Sequence, residues 1–395
     1  MRILIDATQI PIGRTGVGIY AEQLIQNLPS VLKPEDILFV LVQEDDLALR
    51  KMIVGRPKVF PLVVPSRLFR NRIALLAFEQ LILPFVLIYN RIDIVHSLHY
   101  TFPFLSPCRR VVTIHDMTFF LYPELHTRGR KLVMSFFAKR ALRKAEGILF
   151  VSKSTQKDAE QLFGIGGNVR AVTPLAVDHT IFNAIQPETV NQTLSRLHVE
   201  SPYVLFLGTL EPRKNVIRLI EAFELLVPQY STLQLVIAGQ LGWHCAAALH
   251  AIEASPVSAR IHRLGYVAAE DKPALIAGCD LLVYPSFYEG FGLPVLEGMA
   301  AGVPVITSNL SSLPEIADDA AVMIDPMSVE QIAEAVRSIL SNNSYKAELR
   351  RRGKEQARTF TWCRTAESTY TAYRAVCSRR RTSGRRNIGC DLKPM

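Results

Sequence analysis

Short runs of β-branched and other apolar residues alternate with helical stretches along the whole chain. A first series comprises residues 3–5, 37–42, 92–96, 110–114, 148–151 and 169–173; a second comprises 203–207, 233–238, 261–264, 281–284, 303–307 and 321–324. Apolar runs of this length suit strands buried on both faces, and their alternation with helices predicts parallel sheets covered by helices. The expected fold class is therefore α/β, with two Rossmann-like, doubly wound parallel-sheet domains. Ligands of open parallel sheets bind beyond the carboxyl ends of the strands, so two such sheets facing one another enclose a cleft for two substrates. Residues 174–182 and the polar segment to about 202 are the expected crossing.

Size and composition agree with that division. A chain of 395 residues is too long for one ordinary core and suits two domains of about 150–200 residues. With 49% apolar and 21% charged residues, the composition is globular and not that of a disordered chain. Cys108, Cys245, Cys279, Cys363, Cys377 and Cys390 show no metal-ligand spacing, which points to a reducing compartment. The opening residues meet an acid, Asp6, after Ile3, Leu4 and Ile5, so they read as a first strand and not as a secretory signal. A cytoplasmic protein is expected.

The longest apolar stretch, residues 73–89, is broken by Glu79, Gln80 and Pro84 and is too short to span a bilayer. Arg67, Arg70 and Arg72 precede it and Arg91 follows it. Two readings stay open for it: docking on the surface of an anionic membrane, at the inner face of the cell membrane, or a core helix with solvated ends. The net charge of +9 is uneven, because residues 378–395 hold six basic residues against Asp391, a local +5 that leaves +4 elsewhere. A short basic tail with Gly and Ser is expected to be a disordered extension, and gives no case for nucleic acid as a partner.

The densest chemistry lies between residues 284 and 302. Glu289 and Glu297 flank a turn, Gly290-Phe291-Gly292-Leu293, that joins an apolar strand to a small-residue helix ending near Gly302. Such a turn presents free backbone N–H groups and a positive helix end, which suit a phosphate. Carboxylates on either side of it are placed to bind the hydroxyls of a sugar and a ribose, the layout a nucleotide sugar requires. An ordinary strand–turn–helix is the bland alternative.

This stretch, with Ala300-Ala301-Gly302-Val303-Pro304-Val305-Ile306 and Leu313-Pro314-Glu315-Ile316, resembles the signature of retaining GT-B glycosyltransferases of family four, also called group 1. Within that family it is most similar to the mannosyl- and rhamnosyltransferases of surface-polysaccharide pathways. The resemblance runs to about residue 375 and is strongest over 203–326. It implies an acceptor-side domain over 1–180, a nucleotide-sugar domain over 181–355, and a helix over 356–377 that crosses back to the first domain, followed by the tail at 378–395. It assigns Glu297 to the ribose hydroxyls, Glu289 to the donor sugar, and Gly290, Phe291, Gly292 and Leu293 to phosphate and sugar.

Elsewhere in the chain, Gly13-Arg14-Thr15-Gly16-Val17-Gly18 forms a glycine loop before a helix over about 19–28. Taken alone it is a tight turn, but the resemblance places Gly16, Val17 and Gly18 beside the donor diphosphate. His115 ends a strand just before Asp116 and is similar in position to the family's active-site histidine, near the transferred sugar. His96 and His99 end the preceding strand and are candidates for the acceptor side. Arg213 and Lys214 follow another strand end, where two cations call for an anion; the resemblance gives Lys214 to the diphosphate. Where many relatives carry an arginine after the strand glycine this chain has Thr209, a contact Arg213 is placed to take over. Residues 239–243 and 265–267 are placed to flank the base. No Asp-x-Asp pair stands at a strand end: Asp45-Asp46 and Asp318-Asp319 fall in loops, so neither a metal nor another cofactor is expected.

These residues imply a retaining hexosyltransferase that moves a hexose, with mannose from GDP-mannose as the leading donor, to a hydroxyl of a glycan or lipid-linked acceptor. A nucleotide-sugar epimerase or hydrolase of the same fold is the rival enzyme class. A non-catalytic sugar- or membrane-binding module is the rival outside enzymes.

Overall fold

The computed structural model describes residues 1–10, 14, 16–66, 71–126, 128–164 and 168–379. Gly13 and Thr15 of the glycine loop, Arg67 and Arg70, Cys390 and the basic tail from residue 380 lie outside the described residues. The first sheet has seven parallel strands: β1 (Arg2–Asp6), β2 (Ile37–Gln43), β3 (Val59–Val64), β4 (Ile94–Ser97), β5 (Arg109–Ile114), β6 (Gly147–Phe150) and β7 (Val169–Val172), in the order β3-β2-β1-β4-β5-β6-β7. The second has six: β8 (Tyr203–Leu207), β9 (Gln234–Ala238), β10 (Ile261–Gly265), β11 (Leu281–Tyr284), β12 (Val305–Ser308) and β13 (Val322–Ile324), in the order β10-β9-β8-β11-β12-β13. Ile3, Leu4 and Ile5 of β1 are wholly buried, as helices on both faces of a parallel sheet require.

In each sheet the strand order reverses once, between β1 and β4 and between β8 and β11. These are the places where helices leave to opposite faces and open a crevice at the carboxyl ends of the strands. The strand missing from the sequence reading is β3. It is an edge strand with Phe60 and Val63 exposed, and Pro61 interrupts a run that is otherwise apolar.

The apolar stretch after residue 71 is a surface element with one buried and one exposed apolar face. It runs as a helix (Arg72–Ala77), a π-helical turn (Phe78–Ile82) and a second helix (Leu83–Tyr89). Leu83, Leu87 and the acid Glu79 are buried, whereas Ile73, Leu81, Phe85, Ile88 and Tyr89 are exposed. Among the described residues no helix is long and apolar enough to cross a membrane.

The last helix, Trp362–Ser378, packs on the first sheet's layer against helix Gly16–Val31 and strands β6 and β7. Tyr370 donates to Asp36 (2.5 Å), Tyr373 meets His96, and a side chain at Gly147 would collide with Val376 at 2.7 Å.

Candidate active site

The turn between β11 and helix Leu293–Ala301 is built for close approach. Gly292 holds φ at +114°, a value that L side chains rarely adopt, and Gly302 ends the helix in the left-handed region. Gly290 touches the other domain: a Cβ there would lie 1.7 Å from the carbonyl oxygen of His115. Side chains pin the turn on both sides. Ser312 donates to the carbonyls of Glu289 (2.9 Å) and Phe291 (2.6 Å), Thr155 to that of Gly290 (3.1 Å), and the Tyr288 hydroxyl to Asp158 (2.7 Å). Glu315 accepts from the Lys153 and Ser154 amides at the start of helix Lys153–Phe163, where the helix dipole favours a carboxylate.

Beneath the turn lies a buried ionic cluster. Lys214 Nζ is 2.6 Å from Glu289 Oε1 and also bonds the Tyr284 hydroxyl, while Arg213 is 2.8 Å from Glu289 Oε2 and pairs with Glu211. Burial disfavours the Glu289 carboxylate, but Arg213 and Lys214 outweigh it and hold its pKa at about 2. Burial likewise opposes charge on Arg213, yet Glu289 and Glu211 raise its pKa above the usual value; on Lys214, burial and then Arg213 leave a net lowering. The anion that two cations seemed to call for is therefore already present, as Glu211 and Glu289. Lys214 sits in a single 3-10 turn, Pro212–Lys214; Asn215, at φ +58°, leads from it into helix Val216–Glu224 and donates to the carbonyls of Pro285 and Pro326. Glu297, nearly buried, pairs with Lys272.

Glu211, Arg213, Lys214, Lys272, Tyr284, Glu289 and Glu297 face a cavity of 490 Å³ between the two sheets. Gly16, Val17, His115, Arg213, Lys214, Glu289, Gly290, Phe291, Gly292, Leu293 and Glu297 line it, as do Thr209 and, from the stretches placed near the base, Gly239, Gln240, Trp243, Tyr266 and Val267. Gly239 is needed for contact between strand ends, since its Cβ would stand 1.9 Å from the Gly208 carbonyl. Gly18 does not line the cavity; it is buried against Arg14 and Ile10. Asp46 is taken by Arg14 and by the start of helix Leu47–Ile53, and Asp318 ends helix Leu313–Ala317.

The three histidines part company. His115 is buried at the cavity wall, with Nε2 2.8 Å from the Leu98 carbonyl. A carbonyl only accepts, so Nε2 carries the proton; burial lowers the ring's pKa, which leaves a neutral imidazole with Nδ1 unprotonated. His96 is not in the cleft. It is fully buried, with Nδ1 2.6 Å from the Tyr373 hydroxyl and Nε2 2.8 Å from Thr113, and burial pushes its pKa down to about 3. It ties the first sheet to the last helix. His99 lines a separate small crevice near Asp6.

Sequence reasoning missed Glu211, Lys272 and Tyr284. Glu211 stood two residues from Arg213 and was the one signal in plain view; Lys272 and Tyr284 reach their partners only through the sheet order.

Comparison with known proteins agrees with this geometry. The family model described as glycosyl transferases group 1 matches residues 192–360, and that of glycosyltransferase family 4 matches residues 14–180. The chain is 35% identical over 270 residues to the O-antigen chain mannosyltransferase B of Escherichia coli, covering 68% of this chain and 71% of that one. Its fold matches sucrose-phosphate synthase from Thermosynechococcus elongatus (TM-score 0.73, 17% identity, 95% and 98% of the two chains). It also matches Anabaena HepE in complex with UDP and glucose (TM-score 0.72, 19% identity, 95% and 99%). Both sheets thus belong to the GT-B architecture.

Proposed function

Because the chain belongs to the family of group 1 glycosyl transferases, we propose that it is a retaining, metal-independent mannosyltransferase. Its donor is GDP-mannose and its acceptor a hydroxyl of a lipid-linked or oligosaccharide glycan in surface-polysaccharide assembly. The observation that carries this reading is the cavity in which the glycine turn, Arg213, Lys214, Glu289 and Glu297 of one domain face His115 of the other. The mannosyltransferase relative and the run Glu211-Pro212-Arg213-Lys214-Asn215, similar to branches that use GDP-mannose, support the donor.

The diphosphate sits at the start of helix Leu293–Ala301 and draws Lys214 and Arg213 from Glu289, which frees that carboxylate for hydroxyls of the mannose. As the bond from the anomeric carbon to the phosphate oxygen breaks, the two cations offset the charge gathering on the nucleoside diphosphate. The acceptor hydroxyl attacks the anomeric carbon from the face that the leaving group vacates, and its proton passes to the departing phosphate oxygen. No covalent intermediate with the protein forms. Neutral His115 presents a lone pair beside the developing positive charge on the sugar, and Glu297 holds the ribose.

The same reading places the enzyme on a membrane at the inner face of the cell. Phe85, Leu105, Leu132 and Phe136 are exposed, and Phe104 links the π-helical turn to helix Arg128–Lys144, its backbone N–H donating to the Gln80 side-chain oxygen (2.9 Å) and its ring meeting Phe136 (6.0 Å). Arg91, just after the helix Leu83–Tyr89, and Lys131 and Arg140 of helix Arg128–Lys144 are exposed as well, a mixture of apolar and basic residues that suits anionic lipid.

The test is incubation with GDP-mannose in EDTA, with and without a neutral aryl α-mannoside. GDP release that depends on the acceptor, with an α-linked product by the one-bond C1–H1 coupling, is expected. A β-linked product would contradict retention, and acceptor-independent mannose release or an epimerised donor would favour the hydrolase or epimerase.

A further inference from the structure

A second crevice opens where the first sheet reverses its order. Asp6 ends β1 and Ser97 ends β4, and with Gln9, Val17, His99 and Thr101 they surround a space of 10 Å³, room for about one water or one hydroxyl group. It adjoins the large cavity: Val17 lines both, and the Leu98 carbonyl on its wall accepts from His115.

Its chemistry differs from that of the donor cavity. The Ser97 hydroxyl is buried, 4% exposed, and has no hydrogen-bond partner among the described residues, a costly arrangement unless something else completes it. Asp6 spends Oδ1 on the amide (3.0 Å) and hydroxyl (2.6 Å) of Thr8, and no described residue bonds its Oδ2. Behind them lies Glu79, 1% exposed in the π-helical turn, whose Oε2 accepts from Thr101 (2.6 Å) and Gln9 (2.8 Å) and whose Oε1 accepts from Gln80 (2.9 Å). Burial, with the nearby Asp6 charge, pushes Glu79 up to about 8, and burial raises Asp6 too. No Lys or Arg is among the described residues that line the crevice. A phosphate here would meet two acids and no cation, whereas a sugar hydroxyl would donate to Asp6 and accept from Ser97.

We propose that this crevice anchors one neutral hydroxyl of the acceptor sugar through Ser97 and Asp6, and that it refuses a phosphate-bearing acceptor group. The inference rests on the glycosyltransferase reading above and names the class of acceptor for that site.

Ser97→Ala separates it from a structural role. If Ser97 merely fills space, losing an unpartnered hydroxyl leaves stability equal or better and the kinetics unchanged. As an acceptor contact, its loss raises KM for a neutral aryl α-mannoside about tenfold, while KM for GDP-mannose, the melting shift with GDP and the melting temperature itself hold. Asp6→Asn, of equal size, narrows the preference of the enzyme for that mannoside over its 6-phosphate. An acceptor KM within twofold of wild type in Ser97→Ala would overturn the inference, as would a wild-type enzyme that uses the phosphorylated mannoside equally well. Should wild type neither bind GDP nor transfer mannose, the mannosyltransferase reading itself falls and takes this inference with it, a failure visible before any variant is made.

Discussion

The second sheet meets the cleft with Arg213, Lys214 and Lys272, each held by a carboxylate; the first domain brings Arg14, Asp116 and a neutral His115 to it, and keeps Asp6 in the smaller crevice with Glu79 behind. Both crevices lie at a reversal of strand order, so topology alone does not separate them. Charge does. On the proposed reading, one side binds an anion by exchanging a carboxylate for a diphosphate; in the structure its cations are ordered by ion pairs with Glu211, Glu289 and Glu297. The smaller crevice has no Lys or Arg among its described lining residues and is left with hydroxyl-sized polarity. A fold made of two similar halves can thus assign one half to the charged leaving group and the other to an uncharged nucleophile.

The contrast breaks most sharply at Lys214. Lys214→Ala should lower kcat/KM with GDP-mannose by about 10²–10³-fold, because it removes a cation from the leaving group. It also leaves Glu289 buried with only Arg213, so a loss of about 3 kcal/mol in denaturant melts is expected alongside. Turnover within about threefold of wild type would sink the role given to this lysine.

Gly290→Ala attacks the contact between the halves without touching either charge set. Its Cβ would fall on the His115 carbonyl, so the domains must part, and misalignment on the order of an ångström lowers kcat by roughly 10²-fold. Near-normal kcat would mean that this contact is not kept during catalysis. Glu297→Gln sharpens the donor side alone, with KM for the donor up by about tenfold and KM for the acceptor unmoved in steady-state assays, as loss of a charged hydrogen bond to a ribose requires.

The smallest kinetic effect is expected at His96. His96→Phe should leave both KM values alone and cost about 1–3 kcal/mol of stability through the lost bonds to Tyr373 and Thr113. Its ring titrates near 3 in the fold against an ordinary 6.5, so the unfolded chain binds the extra proton first: its contribution to stability is whole above pH 6.5 and is lost as pH falls toward 3. Glu289, held at about 2 against 4.5, acts the same way in a lower window, whole above pH 4.5 and lost toward 2. Melting curves of His96→Phe should therefore decline less than wild type between pH 6.5 and 5, and Glu289→Gln should flatten only the limb below 4.5. Equal decline in the wild type and His96→Phe would show that His96 does not titrate across folding.

What was legible in the sequence follows the range of the interactions involved. β-branched runs announced the buried strands, because burial on both faces is written in each run itself, and β3 escaped because an edge strand tolerates Pro61. The turn from Glu289 to Glu297 was legible because its glycines and carboxylates are neighbours in the chain. The partners were not: Lys272 meets Glu297 from the helix before β11, and Ser97 meets Asp6 only because β1 and β4 pair directly. His96 was misplaced because a strand-end position does not say which way a ring turns, and this one is taken by a tyrosine of the last helix.

The most direct test of the donor site is a thermal-shift panel of GDP, UDP, dTDP and ADP in EDTA, on wild type and Lys214→Ala. The account predicts that GDP alone raises the wild-type melting temperature, by an amount matching about 2.7 kcal/mol at a hundredfold excess over its Kd, and that Lys214→Ala loses the rise. A rise that needs a divalent metal, one that survives Lys214→Ala undiminished, or none with any of the four nucleotides would contradict it.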